Sequence, residues 1–510
     1  MCHFHTSLKA RSSIIFLLGW VFLYSSVPSF AQFNFTPDCQ KAYQSILDLR
    51  FAEARQMISS EKAAGPGNLI PLYLENYIDF LTLFIGEERS EYERIKPNFM
   101  ARIAQLEKGY GTSPYCNFCL GESNLQWAFV QLKFGEYSHA ALKVRKAHQY
   151  FTANAKSFPD FIPGNIGLGI THILGGVVPD NYKWISNLMG VDGTITQGLK
   201  ELKNVADYSG NDANYKLFKP EALFYLALVS ANLVKDKSEA LKIAGLFERN
   251  NKSQSPLLIF ASAGIMMKNG MNEQALELLK QRPADAASYP FYYLDFMEGI
   301  ARLNSLDTSA MADFRNFLSE FRGINYIKSA WQKVGWLQFM KGDTAGYYRD
   351  MAKVLREGNA YGDEDRQAVR EAESKQIPNL VLLKARLLFD GGYYEKALTE
   401  MLSHPARSFL STRKDLTEYS YRLGRIYHES GNTAKALSYY KLTIQRGRND
   451  PWYFAAASAL QMGLIYENRG DLVRADSAYH ACLACKPAEY KNSLSLKAKA
   501  GITRIKTDRH

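Results

Sequence analysis

Apolar and polar residues follow a helical period along most of this chain, and small residues recur among the apolar positions at fixed distances. In the clearest copy, Gly463 lies inside an apolar run, Gly470 follows seven residues later and Ala475 follows five residues after that. This order predicts two packed helices joined by a tight turn, because a small residue on one helix lets the other approach closely. The first small position recurs upstream at Gly424, Ala385, Gly335, Gly299, Ala263 and Ala227.

The copies are regularly spaced along the chain. Successive small positions are 36 residues apart from Ala227 to Gly335, the next step to Ala385 is 50 residues, and the steps from there to Gly463 are 39 residues. One helical hairpin cannot bury its apolar face alone, so consecutive hairpins are expected to stack on one another. The spacing therefore predicts an α-solenoid.

The last copy resembles the tetratricopeptide repeat. The matching positions are Met462, Gly463, Tyr466, Gly470, Ala475, Tyr479 and Pro487. Two positions depart from the repeat, since Ala459 replaces an aromatic residue and Cys482 replaces an alanine. The resemblance implies an all-α, right-handed solenoid of stacked tetratricopeptide-like hairpins.

The N-terminal third carries weaker copies of the same hairpin, at 39–60 and at about 120–152. Segments 119–150 and 164–202 resemble the tetratricopeptide repeat protein 39 / inclusion-body clearance family. The motifs that carry this resemblance are Cys119-Leu120-Gly121-Glu122, Gly164 to Gly169, Val178-Pro179 and Leu188 to Gly193. The resemblance implies the fold, with a proline-marked break between helices. The known eukaryotic members are intracellular, so their cellular roles are not carried over.

These patterns divide the chain into six parts. They are a signal peptide at 1–31, an N-terminal region of degenerate hairpins at 32–205, a 36-residue repeat array at 206–357, a charged insert at 358–378, 39-residue repeats at 379–490 and a basic C-terminal helix or tail at 491–510. Within the insert, the charged stretch 362–373 predicts one extra, solvent-facing helix.

The first 31 residues have the composition of a secretion signal. Lys9 and Arg11 precede an apolar run at 14–24, and a small-x-small sequence ends at Ala31. The alternative is an uncleaved anchor, but 11 strictly apolar residues are short against the roughly 20 that span a bilayer. We expect export to a bacterial periplasm, with cleavage before Gln32 and possible peripheral association with the outer membrane.

Composition indicates a folded chain without a strong charge signature. The hydrophobic content is 46%, the aromatic content is 13% and the formal net charge is +11 over 510 residues. Lys9 and Arg11 belong to the signal, so the mature charge is two lower. This mild excess of basic residues, with only short clusters at 143–146 and 446–448, does not predict nucleic-acid binding.

The five cysteines beyond the signal leave several alternatives. An odd number leaves at least one thiol free or intermolecular, and two Cys-x-x-Cys pairs lie far apart in the chain. Each pair can be a local disulfide, a pair of inert thiols, or a redox or metal site. A redox role is disfavoured at Cys482, which falls late in a helix, whereas Cys116 falls near a helix start. The five are Cys39, Cys116, Cys119, Cys482 and Cys485.

No catalytic motif is present, and we predict neither a cofactor nor a metal site. The glycine-rich stretch 164–169 lacks the third glycine of a dinucleotide fingerprint, because His172 occupies that position. The histidines are expected to lie far apart in the array. The leading hypothesis is therefore a non-enzymatic scaffold that binds a protein partner. The alternatives are an outer-membrane assembly or lipid-related factor, and an enzyme whose site is dispersed.

The repeat register also predicts a binding surface. In stacked hairpins of this type the first helices line the concave groove, and aromatic and arginine side chains are enriched at interface hot spots. The alternative is that these aromatic residues fill gaps between hairpins. The predicted positions are Phe260, Met267, Tyr293, Phe296, Trp336, Phe339, Arg386, Phe389, Tyr421, Arg425 and His428.

Overall fold

The computed structural model describes residues 32–109, 113–177, 183–233, 237–250, 255–283, 287–405, 408 and 410–507. Within these ranges the secondary structure is helical, with no β-strand; an isolated backbone bridge joins Gln32 to Asn68. The fold is an all-α solenoid, which confirms the fold class predicted from the repeats. The predicted signal at 1–31 lies outside the described residues.

The N-terminal region contains five long helices, one 3-10 turn at Ile162–Gly164 and several shorter helices. The helices are α1 (Pro37–Leu47), α2 (Phe51–Ala64), α3 (Ile70–Gly86), α4 (Arg89–Leu106), α5 (Pro114–Lys133), α6 (Tyr137–Ser157), α7 (Asn165–Val177), α8 (Lys183–Met189), α9 (Ile195–Ala206) and α10 (Ala213–Lys216). Pro179, the predicted break after α7, lies outside the described residues.

The remaining helices form successive hairpins, apart from α19 and the last helix. They are α11 (Lys219–Leu233), α12 (Lys237–Asn250), α13 (Pro256–Lys268), α14 (Asn272–Lys280), α15 (Tyr293–Asn304), α16 (Ala310–Glu320), α17 (Ile327–Met340), α18 (Thr344–Arg356), α19 (Asp363–Ser374), α20 (Leu380–Asp390), α21 (Tyr394–Leu402), α22 (Arg413–Glu429), α23 (Thr433–Gly447), α24 (Phe454–Asn468), α25 (Leu472–Ala484) and α26 (Lys491–Thr507).

In each repeat hairpin whose turn the structure describes, the turn lies seven residues after the small residue. Gly470, Gly431 and Gly392 have φ values of 72°, 80° and 82° there, in the left-handed region that glycine reaches without strain. Leu49 and Leu306 occupy the same position and have φ values of 61° and 63°. The turn therefore keeps its conformation even where the glycine is missing.

The small positions allow helix contact, as predicted. A Cβ atom on Gly463 would overlap the ring of Tyr479, and one on Gly424 would overlap the ring of Tyr440. Each tyrosine lies 16 residues after its glycine and is fully buried. Ala475 on the second helix is also fully buried. The 16-residue spacing between glycine and tyrosine in the sequence therefore corresponds to a contact between the two helices of the hairpin.

The N-terminal helices pack against the middle of the array. The backbone N–H of Tyr289 donates to the carbonyl oxygen of Leu49 at 2.8 Å, and Asn325 Nδ2 donates to Glu87 Oε2 at 2.7 Å. Lys133 at the end of α5 forms an ion pair with the same glutamate. The loops that precede α15 and α17 thus rest on the N-terminal helices.

The 50-residue step holds α19, which packs on α17 and α18. Its Ala368 and Ala372 are buried, so one face of this helix is part of the core and only the other faces solvent. Helix α20 then packs on α15, and a Cβ atom on Gly392 would overlap the carbonyl of Gly270. The α17–α19 unit is therefore an interruption of the regular stack.

The C-terminal helix α26 closes the array by packing on α24 and α25. Gly501 lies against the ring of Tyr479, and Arg504 forms a two-nitrogen ion pair with Glu467. Among the residues that the structure describes, no helix is both long enough and apolar enough to cross a membrane.

Candidate functional site

The predicted surface residues on α13 and α15 lie within an aromatic cluster. The ring centroids of Phe260 and Tyr293 are 5.8 Å apart, and the ring of Tyr293 lies 4.5 Å from that of Tyr326. Phe296 is buried, and Met267 is half-buried. Burial raises the pKa of Tyr293 well above its usual value. These four side chains fill the spaces between neighbouring helices.

The predicted residues on α17 are covered by α19. Trp336 is only 2% exposed, and its indole Nε1 donates to Glu371 Oε1 on α19 at 2.8 Å. The Tyr347 hydroxyl donates to the same oxygen at 3.0 Å, and Gln332 Nε2 donates to Glu371 Oε2 at 2.6 Å. Phe339 is half-buried beside Tyr347. The insert thus lies across the face that the repeat pattern assigns to the groove.

The predicted residues on α20 and α22 form a connected group. The Arg425 guanidinium carbon lies 4.9 Å from the centroid of the Phe389 ring, and its Nη1 donates to the Tyr421 hydroxyl at 3.4 Å. His428 Nδ1 lies 3.3 Å from the Tyr440 hydroxyl. Arg386 lies on the neighbouring helix with its side chain 35% exposed. We call Arg386, Phe389, Tyr421, Arg425 and His428 the C-terminal inner face.

Within this face, exposure differs from residue to residue. Tyr421 is 5% exposed and packs against the rings of Tyr453 and Phe454, whereas Phe389, Arg425 and His428 are half-buried. The half-buried side chains can contact a partner, whereas Tyr421 is buried and holds Arg425 in place through its hydroxyl.

Several residues extend this surface and were not predicted. Arg422 on α22 binds Glu418 through two nitrogens, at 2.9 and 2.6 Å from the same carboxylate oxygen. The ring of Tyr453 lies 5.2 Å from that of Tyr490, whose hydroxyl donates to Gln367 of α19 at 3.5 Å. The loop before α26 thus contacts α19. Sequence spacing could not reveal this, because 123 residues separate the two.

Lys333 is the most unusual cation of the surface. Its ammonium donates to Ser329 Oγ at 3.1 Å and to Gln332 Oε1 at 2.7 Å, and it lies 4.5 Å from the centroid of the Trp336 ring. Burial, together with the positive charge of Arg386, lowers its pKa to about 8. Among the described residues no carboxylate forms an ion pair with it.

The five cysteines within the described residues are free thiols. Burial raises the pKa of Cys39 to about 11 and that of Cys482 to about 12. A reactive cysteine needs a lowered pKa, so these buried groups are poor nucleophiles. Among the described residues, no three His, Cys, Asp or Glu side chains converge as metal ligands would.

The expectation that the histidines lie apart is wrong for one pair. The rings of His148 and His172 have centroids 5.2 Å apart. His172 Nδ1 lies 2.7 Å from Glu201 Oε2, and His148 Nδ1 lies 3.1 Å from Thr171 Oγ1. Burial and the neighbouring imidazole lower the pKa of His148. These bonds join α6, α7 and α9, which the sequence pattern did not bring together.

One comparison with known proteins identifies a repeat within the C-terminal hairpins. Residues 420–451, most of the α22–α23 hairpin, match the tetratricopeptide repeat family. No curated protein matches the sequence.

Several solved structures are similar to the chain. One is a human IFIT1 dimer with PPP-AAAA, at 14% identity and a TM-score of 0.34, covering 82% of this chain and 96% of that one. Another is the P58(IPK) TPR domain, at 12% identity and a TM-score of 0.21, covering 76% and 97%. A chain of Naa15/Naa10 bound to HypK-THB has 12% identity and a TM-score of 0.24, covering 93% and 79%. One hairpin of this chain thus matches the tetratricopeptide repeat, and the described residues as a whole form an all-α solenoid of stacked helical hairpins.

Proposed function

We propose that this chain is an exported, non-catalytic scaffold that holds an acidic, extended segment of a protein partner on its C-terminal inner face. The observation that carries the proposal is the row of half-exposed aromatic and arginine side chains on α20 and α22, beside a lysine without a carboxylate partner. Aromatic residues and arginine are the types that dominate binding energy at protein interfaces.

The arrangement of charges favours a peptide over a nucleic acid. Each arginine of the surface already has a carboxylate on its own helix: Arg386 has Asp390 at 3.7 Å and Arg425 has Glu429 at 3.8 Å. These carboxylates would repel the phosphates of a nucleic acid, which binds best to an unbroken series of cations. A peptide with spaced acidic residues can instead place a carboxylate on Lys333 and leave the ion pairs of the two arginines intact.

The borders of the surface favour a narrow occupant. Helix α19 lies on one side, and Tyr490 on the other side reaches it through Gln367. Tyr421 and Tyr453 form an apolar base between them. A single extended strand or one helix fits such a channel, whereas a globular surface would meet its edges first. The half-buried ring of Phe389 offers this segment an apolar contact.

Site-specific photocrosslinking tests the proposal. A photoreactive phenylalanine analogue at Phe389 should crosslink a partner in the native envelope, and the crosslinked peptide should carry a net negative charge. The matched control is the same analogue at Val473, which is 74% exposed on α25, away from this face. Equal crosslinking from both positions, or a crosslinked segment rich in basic residues, would contradict the proposal.

Charge variants test the same point without a new chemical group. The double variant Lys333→Gln with Arg386→Gln should weaken crosslinking from Phe389 by at least about tenfold, since even one hydrogen bond to a charged group contributes about 1.5–3 kcal/mol. The control is Arg474→Gln on α25, whose arginine is 68% exposed, forms an ion pair with Asp471 and lies over the ring of Tyr466. Loss of crosslinking in the control variant as well would count against the site.

Export is tested separately. The sequence from Gln32 onward is built into the fold, because Phe33 and Phe35 are buried and Gln32 bonds to Gly67 and Leu69. This supports cleavage before Gln32. N-terminal sequencing of exported protein should begin at that residue; a chain that still carries residues 14–24 would contradict the cleavage site.

A further inference from the structure

Two glutamates interact inside the N-terminal core, far from the surface described above. Glu122 lies in the middle of α5 and is fully buried, and Glu221 lies in the first turn of α11 and is 1% exposed. Burial raises the pKa of both carboxyl groups, and the negative charge of Glu221 raises that of Glu122 further. The repeat pattern gives neither residue a packing role.

The two carboxyl groups have different surroundings. Glu221 accepts hydrogen bonds from the hydroxyls of Tyr43 and Tyr77, the latter at 2.6 Å, and both bonds lower its pKa. Its place in a first helical turn also favours the charged form. Glu122 receives no hydrogen bond from any described residue at either carboxyl oxygen. The tyrosine hydroxyls therefore favour a negative charge on Glu221, whereas Glu122, which has no such donors among the described residues, is the carboxyl group more easily protonated.

That negative charge has no cationic partner within the described parts of the chain. Its hydrogen-bond donors are neutral tyrosine hydroxyls, and no ion pair joins it to a lysine or arginine. A buried charge without a counter-charge is costly, because desolvation is not offset by attraction. Within the described residues, a negative charge on Glu221 is therefore stabilised by two hydrogen bonds but not by a counter-charge.

Glu221 lines a cavity of about 230 Å³. Tyr77, Tyr225 and Ser255 are other buried polar residues of its wall, and much of the rest is apolar, including Phe80, Phe224 and Leu257. Lys216 also lines it but is exposed. The cavity therefore combines an apolar body, aromatic rings, the buried carboxylate of Glu221 and the half-buried carboxylate of Asp48, and a mainly apolar wall with a few polar groups is the usual composition of a small-molecule site.

We propose that this cavity binds a small organic amine, with the ammonium group on the Glu221 carboxylate and an apolar body against Phe224 and Leu257. The ammonium supplies the missing counter-charge and donates to the carboxylate oxygens. The faces of Tyr77 and Tyr225 add attraction for a cation. An anionic ligand would place like charges together in the core, and a neutral one would leave Glu221 unbalanced.

The test uses isothermal titration calorimetry on the mature chain with three probes of similar shape: phenethylamine, 2-phenylethanol and 3-phenylpropanoate. Phenethylamine should bind with one-to-one saturation. The alcohol should bind at least about tenfold more weakly, since a hydrogen bond between charged groups is worth that much. The carboxylate should not bind. No saturation by phenethylamine at millimolar concentration, or equal affinity for amine and alcohol, would overturn the proposal.

Two matched variants locate the charge. Glu221→Gln and Glu122→Gln each replace a carboxyl group by an amide of the same shape in the same core. Glu221→Gln should lower phenethylamine affinity at least about tenfold, whereas Glu122→Gln should change it by less than about threefold, because the protonated acid is already neutral. The reverse order would overturn the assignment. If Glu221→Gln does not fold, the comparison of amine and alcohol on the natural chain decides the question.

Discussion

The two repeat arrays of this chain share one hairpin but differ in the state of their inner faces. In the 36-residue array, the face on α15 and α17 is covered: Trp336 is 2% exposed beneath Glu371 of α19, and Asn325 is bonded to Glu87 of the N-terminal region. In the 39-residue array, Arg386 and Arg425 on the same face keep 35% and 26% of their side chains exposed.

The difference shows that the repeat sequence determines the hairpin but does not determine whether its inner face is covered or open. Both arrays place a small residue, a left-handed turn and a buried second helix at the same offsets. What covers the inner face comes from outside the repeat, from α19 in one case and from the N-terminal helices in another. An open face is therefore found where the insert and the N-terminal region do not reach.

Trp336→Ala gives the largest expected effect. A fully packed tryptophan on the covered face leaves a cavity when truncated, which should lower the free energy of unfolding by about 3–5 kcal/mol. Phe389→Ala on the open face should cost less than half as much, because that ring is only half-buried. Urea unfolding of both variants measures the difference, and equal losses would erase the distinction between the two faces.

Gly463→Leu tests what the arrays have in common. The added side chain overlaps the Tyr479 ring and should cost about 1–3 kcal/mol. Since solenoid energies are local, hydrogen exchange should accelerate mainly in α24 to α26. Gly264→Ala is the control, because a Cβ there meets no neighbour and should stabilise α13 by about 0.5–1 kcal/mol. Faster exchange throughout the chain would contradict local packing.

Asp365→Ala tests the attachment of α19. This carboxylate accepts the backbone N–H groups of Tyr326 at 2.7 Å and Ser329 at 2.9 Å, at the start of α17. Removing it leaves both donors without their acceptor and should cost about 0.5–2 kcal/mol, as loss of a helix cap does. Hydrogen exchange should increase in α17 and α19 while α20 to α25 stay unchanged. Unaltered exchange at Ser329 would contradict the capping role.

Lys333→Met should give the smallest change in the free energy of unfolding, and that change should depend on pH. The pKa of Lys333 is lowered to about 8 in the fold, against about 10.4 for an unfolded lysine. The folded state thus binds fewer protons between these values, and the stability of the natural chain rises with pH across that window. The variant should be more stable by about 1 kcal/mol near pH 7, with the gain gone by about pH 10. A gain independent of pH would show that Lys333 titrates normally.

Much of the fold follows from local chemistry that can be read in the sequence. A close helix contact requires the small residue Gly463, and a left-handed turn favours Gly470. A second close contact requires the small residue Ala475. Each of these requirements can be recognised from the residue type alone. Even Leu49 and Leu306, which carry no glycine signal, take the turn conformation because their hairpins are otherwise complete. The charged stretch at 362–373 was likewise recognised as a helix, observed as Asp363–Ser374.

The candidate sites were only partly predictable. Arg425 and Phe389 meet as the register implies, since they lie on adjacent first helices. The role of Glu371 over Trp336 was missed because it depends on how α19 folds back. The signal for Glu122 was present: the stretch Glu122 to Asn124 places three polar residues in a helix that is apolar on all sides, which is unusual unless they serve a polar site.

The sequence by itself determined the hairpins, their turns and their stacking, because these depend on residues within about one repeat of each other and on side-chain volume and backbone conformation. Only the tertiary structure decided which inner face stays open, which lysine has a lowered pKa and which two glutamates are buried with raised pKa values. Those outcomes depend on segments that are distant in the chain, such as Tyr490 and Gln367 or Glu122 and Glu221. Their burial and electrostatic coupling exist only after the helices have packed.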